Sequence, residues 1–165
     1  MTKTEFEKLV EKWVTEFVNN DDELTLVKIF KNKNISRLSH PILDQMPQSK
    51  LCDFNCDFVV LVKHVNDDYQ LMLINRFTKS IGIKDIGEML VYSKIANPLY
   101  AFLISVNGHS TEINNILVNE EISLPLFKYQ HNKSIILFAL RNEVKKESVL
   151  PVYVRHFFYE KIENT

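Results

Sequence analysis

The apolar residues near the start of the chain repeat at helical spacing. Between Thr4 and Val18 they fall at i, i+3, i+4 and i+7, which predicts one amphipathic helix packed on a sheet. The apolar positions are Phe6, Leu9, Val10, Trp13, Val14, Phe17 and Val18. Thr4 followed by Glu7 has the form of an N-terminal capping box. The polar run at 19–22 ends the predicted helix.

Apolar runs separated by short polar breaks then predict strands. Residues 24–30 alternate and predict a first strand, with a polar turn at 31–34. Residues 57–65 are apolar on both faces, which indicates a central strand covered from both sides. The NDDY break at 66–69 predicts a hairpin turn, and residues 70–77 form the returning strand. The segment between these strands, 35–51, carries two prolines and is interpreted as irregular.

Residues 80–96 return to helical spacing and end at Asn97-Pro98. Gly87 lies inside this helix, and a close approach between helix and sheet would explain it. The next predicted elements are a buried strand at 99–106, a short helix at 111–118 and an apolar strand at 134–140. The segment 122–129 is ambiguous, and 149–158 alternates like a late strand or an extended tail.

The predicted order is helix, three strands, helix, strand, helix, strand. This order indicates an α/β (α+β) protein with a mixed central sheet flanked by helices. We expect a single domain over residues 1–165. The composition, with 45% apolar and 25% charged residues, is ordinary for a soluble globular domain, and only three glycines and five prolines argue against long linkers.

Charge and cysteine content narrow the range of partners. The formal net charge of −1 excludes a globally basic protein, so a nucleic-acid partner would need a local patch. Cys52 and Cys56 form a C-x3-C pair without further ligands, which is a poor zinc signal and favours reduced thiols of a cytoplasmic protein. The N-terminus does not resemble a signal peptide, and no window approaches the roughly 18 apolar residues that would span a bilayer, so no membrane partner is expected.

The predicted hairpin brings an acid and a cation together. If the hairpin closes on Asp67 and Asp68, residue 59 faces 76 and residue 57 faces 78, so that Asp57, Ile74 and Arg76 share one face of the sheet. A one-residue change in the turn would put Asn75 and Phe77 on that face instead.

These residues and the element order resemble the PD-(D/E)XK nuclease superfamily. The resemblance rests on Asp57 in CDFVVLV and on Glu88 to Tyr92, EMLVY, which is similar to the Q-x-x-x-Y motif of RecB-like and Holliday-junction-resolvase-like branches. It implies a restriction-endonuclease-like core αβββαβ over about 4–106, with 107–165 as a C-terminal extension.

The resemblance also implies a chemistry. In this superfamily the acid that opens the second strand and a second acid in an E-x-K pattern on the third strand hold Mg²⁺, and the lysine orients the attacking water. Asp57 matches the first acid, but Ile74 and Arg76 occupy the E-x-K positions, so the motif is degenerate. In some branches the second acid lies on the following helix, and Glu88 fits that place. The implied metal ligands are Asp57 and Glu88, with Arg76 or Lys79 as the catalytic cation.

Two functions follow from the resemblance. The first is a Mg²⁺-dependent nuclease that contacts DNA or RNA through Lys79, Lys84 and Tyr92. The alternative is an inactive nuclease-like module that binds nucleic acid, a protein partner or a second copy of itself. The apolar residues offered for such a surface are Leu124, Leu126, Phe127, Phe157 and Phe158. A module for small ligands has no support, because there is neither a glycine-rich phosphate loop nor a G-x-S-x-G motif.

Overall fold

The computed structural model describes residues 1–163 and contains one mixed sheet with helices on both faces. The strands are β1 (Leu24–Asn34), β2 (Asn55–His64), β3 (Tyr69–Phe77), β4 (Tyr100–Ser105), β5 (Lys128–Gln130) and β6 (Lys133–Ala139). The helices are α1 (Lys3–Asn19), α2 (Pro41–Asp44), α3 (Pro47–Leu51), α4 (Ile83–Ala96), α5 (Thr111–Leu117), α6 (Glu120–Phe127) and α7 (Arg155–Glu163). Short 3₁₀ turns occupy Ile35–Arg37, Lys146–Ser148 and Val152–Val154.

The strands lie in the order β1-β2-β3-β4-β6-β5. Strands β1, β2 and β3 form an antiparallel meander, β4 and β6 follow in parallel, and β5 is antiparallel to β6. The α+β class, with a mixed sheet flanked by helices, is therefore confirmed. Among the described residues, no helix combines the length and the apolar character that crossing a membrane requires.

Two apolar layers cover the sheet. Even-numbered side chains of β2, such as Phe58 and Val60, face α1, whereas Val59 and Leu61 face α4. All four are fully or almost fully buried, which confirms a central strand covered on both sides. Trp13 of α1 packs within the first layer against aromatic rings of the sheet and of α7. Its partners there are Phe102, Phe138 and Phe158, with centroids 4.9–6.3 Å away.

The helix α1 begins earlier than its capping motif predicts. Thr2 Oγ1 accepts a hydrogen bond from the Glu5 N–H at 3.2 Å, and Glu5 Oε2 accepts one from the Thr2 N–H at 2.6 Å. The prediction that Thr4 and Glu7 form the capping box is wrong. Glu7 lies inside the helix, where it faces β3 and pairs with the Arg76 side chain.

Three local predictions are corrected by tertiary contacts. Residues 31–34 continue β1 instead of turning, since Lys31 and Lys33 pair in register with β2 and Lys31 Nζ lies 2.5 Å from Glu11. The segment 149–158 is no strand: it forms the Val152–Val154 turn and the start of α7. A Cβ on Gly87 would meet nothing within 4 Å, so no close helix–sheet approach explains that glycine.

The hairpin register also differs from the prediction. The turn is centred on Asn66 and not between Asp67 and Asp68, because the His64 N–H donates to the Asp68 carbonyl at 2.8 Å, and Asp67 adopts a positive φ of 68°. Val59 therefore lies opposite Leu73, not opposite Arg76. The shift is an odd number of residues, so every side chain of β3 changes face relative to β2.

Candidate functional site

A cleft opens where β2 and β3 diverge. Their pairing ends at Phe58 and Ile74, although β3 continues beside β4 as far as Phe77. Side chains span the resulting gap. The Asp57 N–H donates to Asn75 Oδ1 at 3.0 Å, and the Arg76 N–H donates to Asp57 Oδ2 at 2.8 Å. The first bond fixes the Asp57 backbone and the second holds its carboxylate at the mouth of the cleft.

The cleft has a volume of about 330 Å³ and is closed on its far side by α4. Its lining residues are Asn32, Asn55, Cys56, Asp57, Asn75, Phe77, Asp85 and Glu88. Three of these side chains are carboxylates and three are amides, and within the described part of the chain no lysine or arginine belongs to the lining. Oxygen donors and negative charge therefore dominate the cleft.

The structure places Asp57 and Glu88 on the same cleft. Asp57 is half-buried, whereas Glu88 is exposed on α4. Both carboxylates act on Cys56: burial is the main reason that the pKa of this thiol is raised, and the charges of Asp57 and Glu88 raise it further. The charges of both acids that the resemblance assigns to the metal thus act on one buried residue.

Asp85 is a third carboxylate in the cleft, and our sequence interpretation did not assign it to the site. It precedes Glu88 by three residues on α4, a spacing that puts both acids on one side of the helix. Its Oδ2 accepts the Gly82 N–H at 2.8 Å, so one of its oxygens is engaged in capping the helix. The i, i+3 spacing between Asp85 and Glu88 is the feature of the sequence that could have predicted that Asp85 lines the cleft.

Arg76 does not belong to the cleft. Its side chain lies on the opposite face of the sheet, where it is only 4% exposed and its Nη2 lies 2.5 Å from Glu7 Oε2. Only its backbone N–H reaches Asp57. The prediction that Asp57, Ile74 and Arg76 share a face is wrong, because the register shift puts Asn75 and Phe77 beside Asp57. An amide and a phenyl ring thus occupy the places of the second acid and the lysine.

Tyr92 follows Glu88 by one helical turn and is held by two neighbours. Burial, followed by a hydrogen bond with Glu88 and that residue's charge, raises the pKa of Tyr92 to about 12 from an ordinary value of 10.0. Its ring stacks on Phe54 with centroids 4.0 Å apart and planes 3° apart. One face of the ring is therefore covered and is closed to a nucleobase.

Lys79 and Lys84 lie outside the cleft lining, at the same end of the sheet. Lys79 lies two residues after the end of β3, and its carbonyl accepts a hydrogen bond from Ser105 Oγ at 2.6 Å. Lys84 is in the first turn of α4. Both side chains are exposed. They are available to a ligand that lies across this end of the sheet.

The donor set fits a loosely held cation. Mg²⁺ prefers oxygen ligands and is commonly bound through one or two carboxylates, with water completing its shell. Asp57 Oδ1 and Glu88 supply such donors. Among the described residues, however, no three His, Cys, Asp or Glu side chains converge closely enough to form a metal cluster. Any cation held by Asp57 and Glu88 would therefore take most of its ligands from water.

Comparison of the chain with protein-family models, with curated proteins and with solved structures finds no match. What the cleft can do chemically therefore rests on its own residues.

Proposed function

We propose that this chain is a PD-(D/E)XK-like domain that binds nucleic acid through a divalent cation at Asp57 and Glu88. The observation that carries the proposal is that both carboxylates line one cleft, between the diverging ends of β2 and β3 and the following helix α4. The element order of α1, the three-strand meander, α4 and β4 supports it.

Charge explains why a cation would come first. A cleft with three carboxylates repels a phosphodiester, and a divalent ion between them cancels most of that negative charge. The ion would also polarise a phosphate oxygen, which is the chemistry Mg²⁺ supplies in nucleases. The exposed Lys79 and Lys84 add positive charge for neighbouring phosphates.

Hydrolysis on this site would be weak. Phe77 occupies the lysine position and has no proton to exchange with water, and Asn75 offers a neutral oxygen where a carboxylate would be expected. Arg76 is paired with Glu7 on the other face. Binding of nucleic acid without rapid cleavage is therefore the activity these residues favour.

A cation titration tests the proposal. Mn²⁺ binding is followed by electron paramagnetic resonance, and binding of single-stranded, duplex and branched DNA or RNA by fluorescence anisotropy with Mg²⁺ or with EDTA. We expect Mn²⁺ and Mg²⁺-dependent nucleic-acid binding to be lost in both Asp57→Asn and Glu88→Gln. Glu112→Gln, an exposed position on α5 outside the cleft, is the matched control and should bind as the unmodified chain does.

Two outcomes would overturn it. One is nucleic-acid binding of equal strength in EDTA and in both cleft variants. The other is the absence of any Mn²⁺ or nucleic-acid binding by the folded, unmodified chain.

A second candidate function is a protein-interaction module, and exposed apolar side chains favour it. Leu124 and Phe157 are 46% and 51% exposed. The other members of the predicted surface differ: Leu126 is half-buried, and Phe127 and Phe158 are buried in the core. The exposed apolar surface is therefore smaller than predicted and is centred on Leu124 and Phe157.

A further inference from the structure

An apolar groove runs between α6 and the Pro151–Phe157 segment, away from the Asp57 cleft. It consists of two adjoining depressions of about 380 and 360 Å³ that share Leu124 and Tyr153. Tyr153 is held in place by a 2.6 Å hydrogen bond between its hydroxyl and that of Ser134 on β6. The groove is therefore already shaped in the single chain, and apolar side chains lie at its centre.

The two ends of the groove carry opposite charges. Glu120 lines the first depression and Lys128 the second. Glu120 begins α6 and Lys128 caps its end, so Glu120, Leu124 and Lys128 follow each other at i, i+4 and i+8 on one side of the helix. At a rise of about 1.5 Å per residue, the Cα atoms of Glu120 and Lys128 are about 12 Å apart along the helix axis, with Leu124 midway.

We propose that this groove is the contact between two copies of this chain, related by a two-fold axis through Leu124. In such an isologous contact a residue i meets residue j of the other copy, and j meets i. Antiparallel packing of the two α6 helices brings Leu124 onto the Leu124 of the second copy. Each Glu120 then faces the Lys128 of the second copy, so the two-fold produces two ion pairs around an apolar centre.

Charge complementarity is the reason for choosing a second copy as the occupant. The row formed by Glu120, Leu124 and Lys128 is complementary to a second copy of itself that runs in the opposite direction. A uniformly acidic or basic partner would instead meet a like charge at one end of the row. Both residues are exposed, and in the part of the chain that the structure describes neither forms a salt bridge within the molecule. The exposed apolar groups of Leu124, Tyr153 and Phe157 supply the centre that a polar rim surrounds in protein interfaces.

The test is a charge exchange on the full chain, with the dissociation constant measured by sedimentation velocity over a wide concentration range. Glu120→Lys and Lys128→Glu each place like charges in two symmetric contacts, and each should weaken the dimer about tenfold or more. The double variant E120K/K128E restores opposite charges and should return the constant to within about threefold of the unmodified value. Leu124→Asp should abolish dimerisation.

Control variants distinguish loss of the proposed contact from an effect of total charge and from a loss of folding. Glu112→Lys and Lys94→Glu make the same changes of net charge at exposed positions outside the groove and should leave the dimer unchanged. Circular dichroism melting verifies that each variant is folded. A chain that stays monomeric at every concentration overturns the proposal, and so does a dimer that both single reversals leave intact or that the double exchange does not restore.

Discussion

Asn75 Oδ1 accepts a hydrogen bond from the backbone N–H of Asp57 at 3.0 Å, across the gap where β2 and β3 part. Asp57 in turn accepts the N–H of Arg76, the next residue of β3, at 2.8 Å. Side chains thus replace the backbone ladder at the mouth of the cleft. The amide of Asn75 therefore helps to position Asp57. In the PD-(D/E)XK nucleases that the chain resembles, a second acid would occupy the place of Asn75.

Restoring the motif should create hydrolytic activity. The double variant Asn75→Glu and Phe77→Lys adds a carboxylate and an ammonium group to the cleft that holds Asp57. Phe77 is half-buried, so a lysine stem can lie along the apolar wall while its amine reaches the opening. We expect Mg²⁺-dependent cleavage of DNA or RNA to rise about a hundredfold or more over the unmodified chain, measured with end-labelled substrates.

The same double variant in an Asp57→Ala background is its control and should be inactive. A folded double variant that cleaves no better than the unmodified chain would show that the geometry of the cleft does not suit phosphodiester hydrolysis.

The ion pair of Glu7 and Arg76 should matter for stability. Its Nη2–Oε2 distance is 2.5 Å, and the two side chains are 26% and 4% exposed. Glu7→Ala leaves a guanidinium buried without its partner, which should lower the free energy of unfolding by about 3 kcal/mol in urea titrations. Replacing both residues, with Glu7→Leu and Arg76→Met, should recover most of that loss.

The comparison is Glu16→Ala, which breaks the exposed pair with Lys12 on the same helix. That change should cost less than about 0.5 kcal/mol. Equal losses for Glu7→Ala and Glu16→Ala would contradict a buried, stabilising pair.

Thr2, and not Thr4, caps the start of α1, a difference that the sequence pattern does not reveal. Thr2 Oγ1 accepts the Glu5 N–H, so Thr2→Ala should lower the unfolding free energy by about 1 kcal/mol. Thr4→Ala removes a side chain inside the helix that caps nothing, and alanine is the better helix former, so stability should stay equal or rise slightly. Urea unfolding curves of the two variants test this prediction. If Thr4 and Glu7 formed the capping box, Thr4→Ala would instead cost more stability than Thr2→Ala.

The buried thiols should make the fold sensitive to alkaline pH. Burial raises the pKa of Cys52 to about 11 from an ordinary value of 9.0, and it raises the pKa of Cys56 as well. The folded chain therefore keeps protons that the unfolded chain loses. Their contribution to stability is complete below the unfolded pKa and is lost as pH rises from about 9 towards 11.

Urea titrations between pH 8 and pH 10.5 measure this effect. Cys52→Ala should flatten the decline of stability with pH, since one of the two thiols is removed. A decline of the same steepness in the variant would assign the alkaline sensitivity to other groups.

The regular elements were predicted well because their signals are local. Periodicity over a few turns identifies α1 and α4, and runs of apolar residues identify β2, β4 and β6 without knowledge of their neighbours. The tail was predicted poorly for the converse reason. Residues 149–158 alternate like a strand, yet their pairing with the sheet is limited to Leu150, which bridges Leu137 of β6. Phe158 is buried against Trp13 and Phe17 in a helix instead.

The candidate site likewise has features that the sequence determines and features that only the tertiary structure decides. The sequence by itself determined that an acid opens the central strand and that Glu88 follows on the next helix. Only the tertiary structure decided which side chains accompany Asp57. A turn centred on Asn66, and not between Asp67 and Asp68, moved β3 by three positions. Since side chains alternate along a strand, Arg76 faces α1 while Asn75 and Phe77 face the cleft.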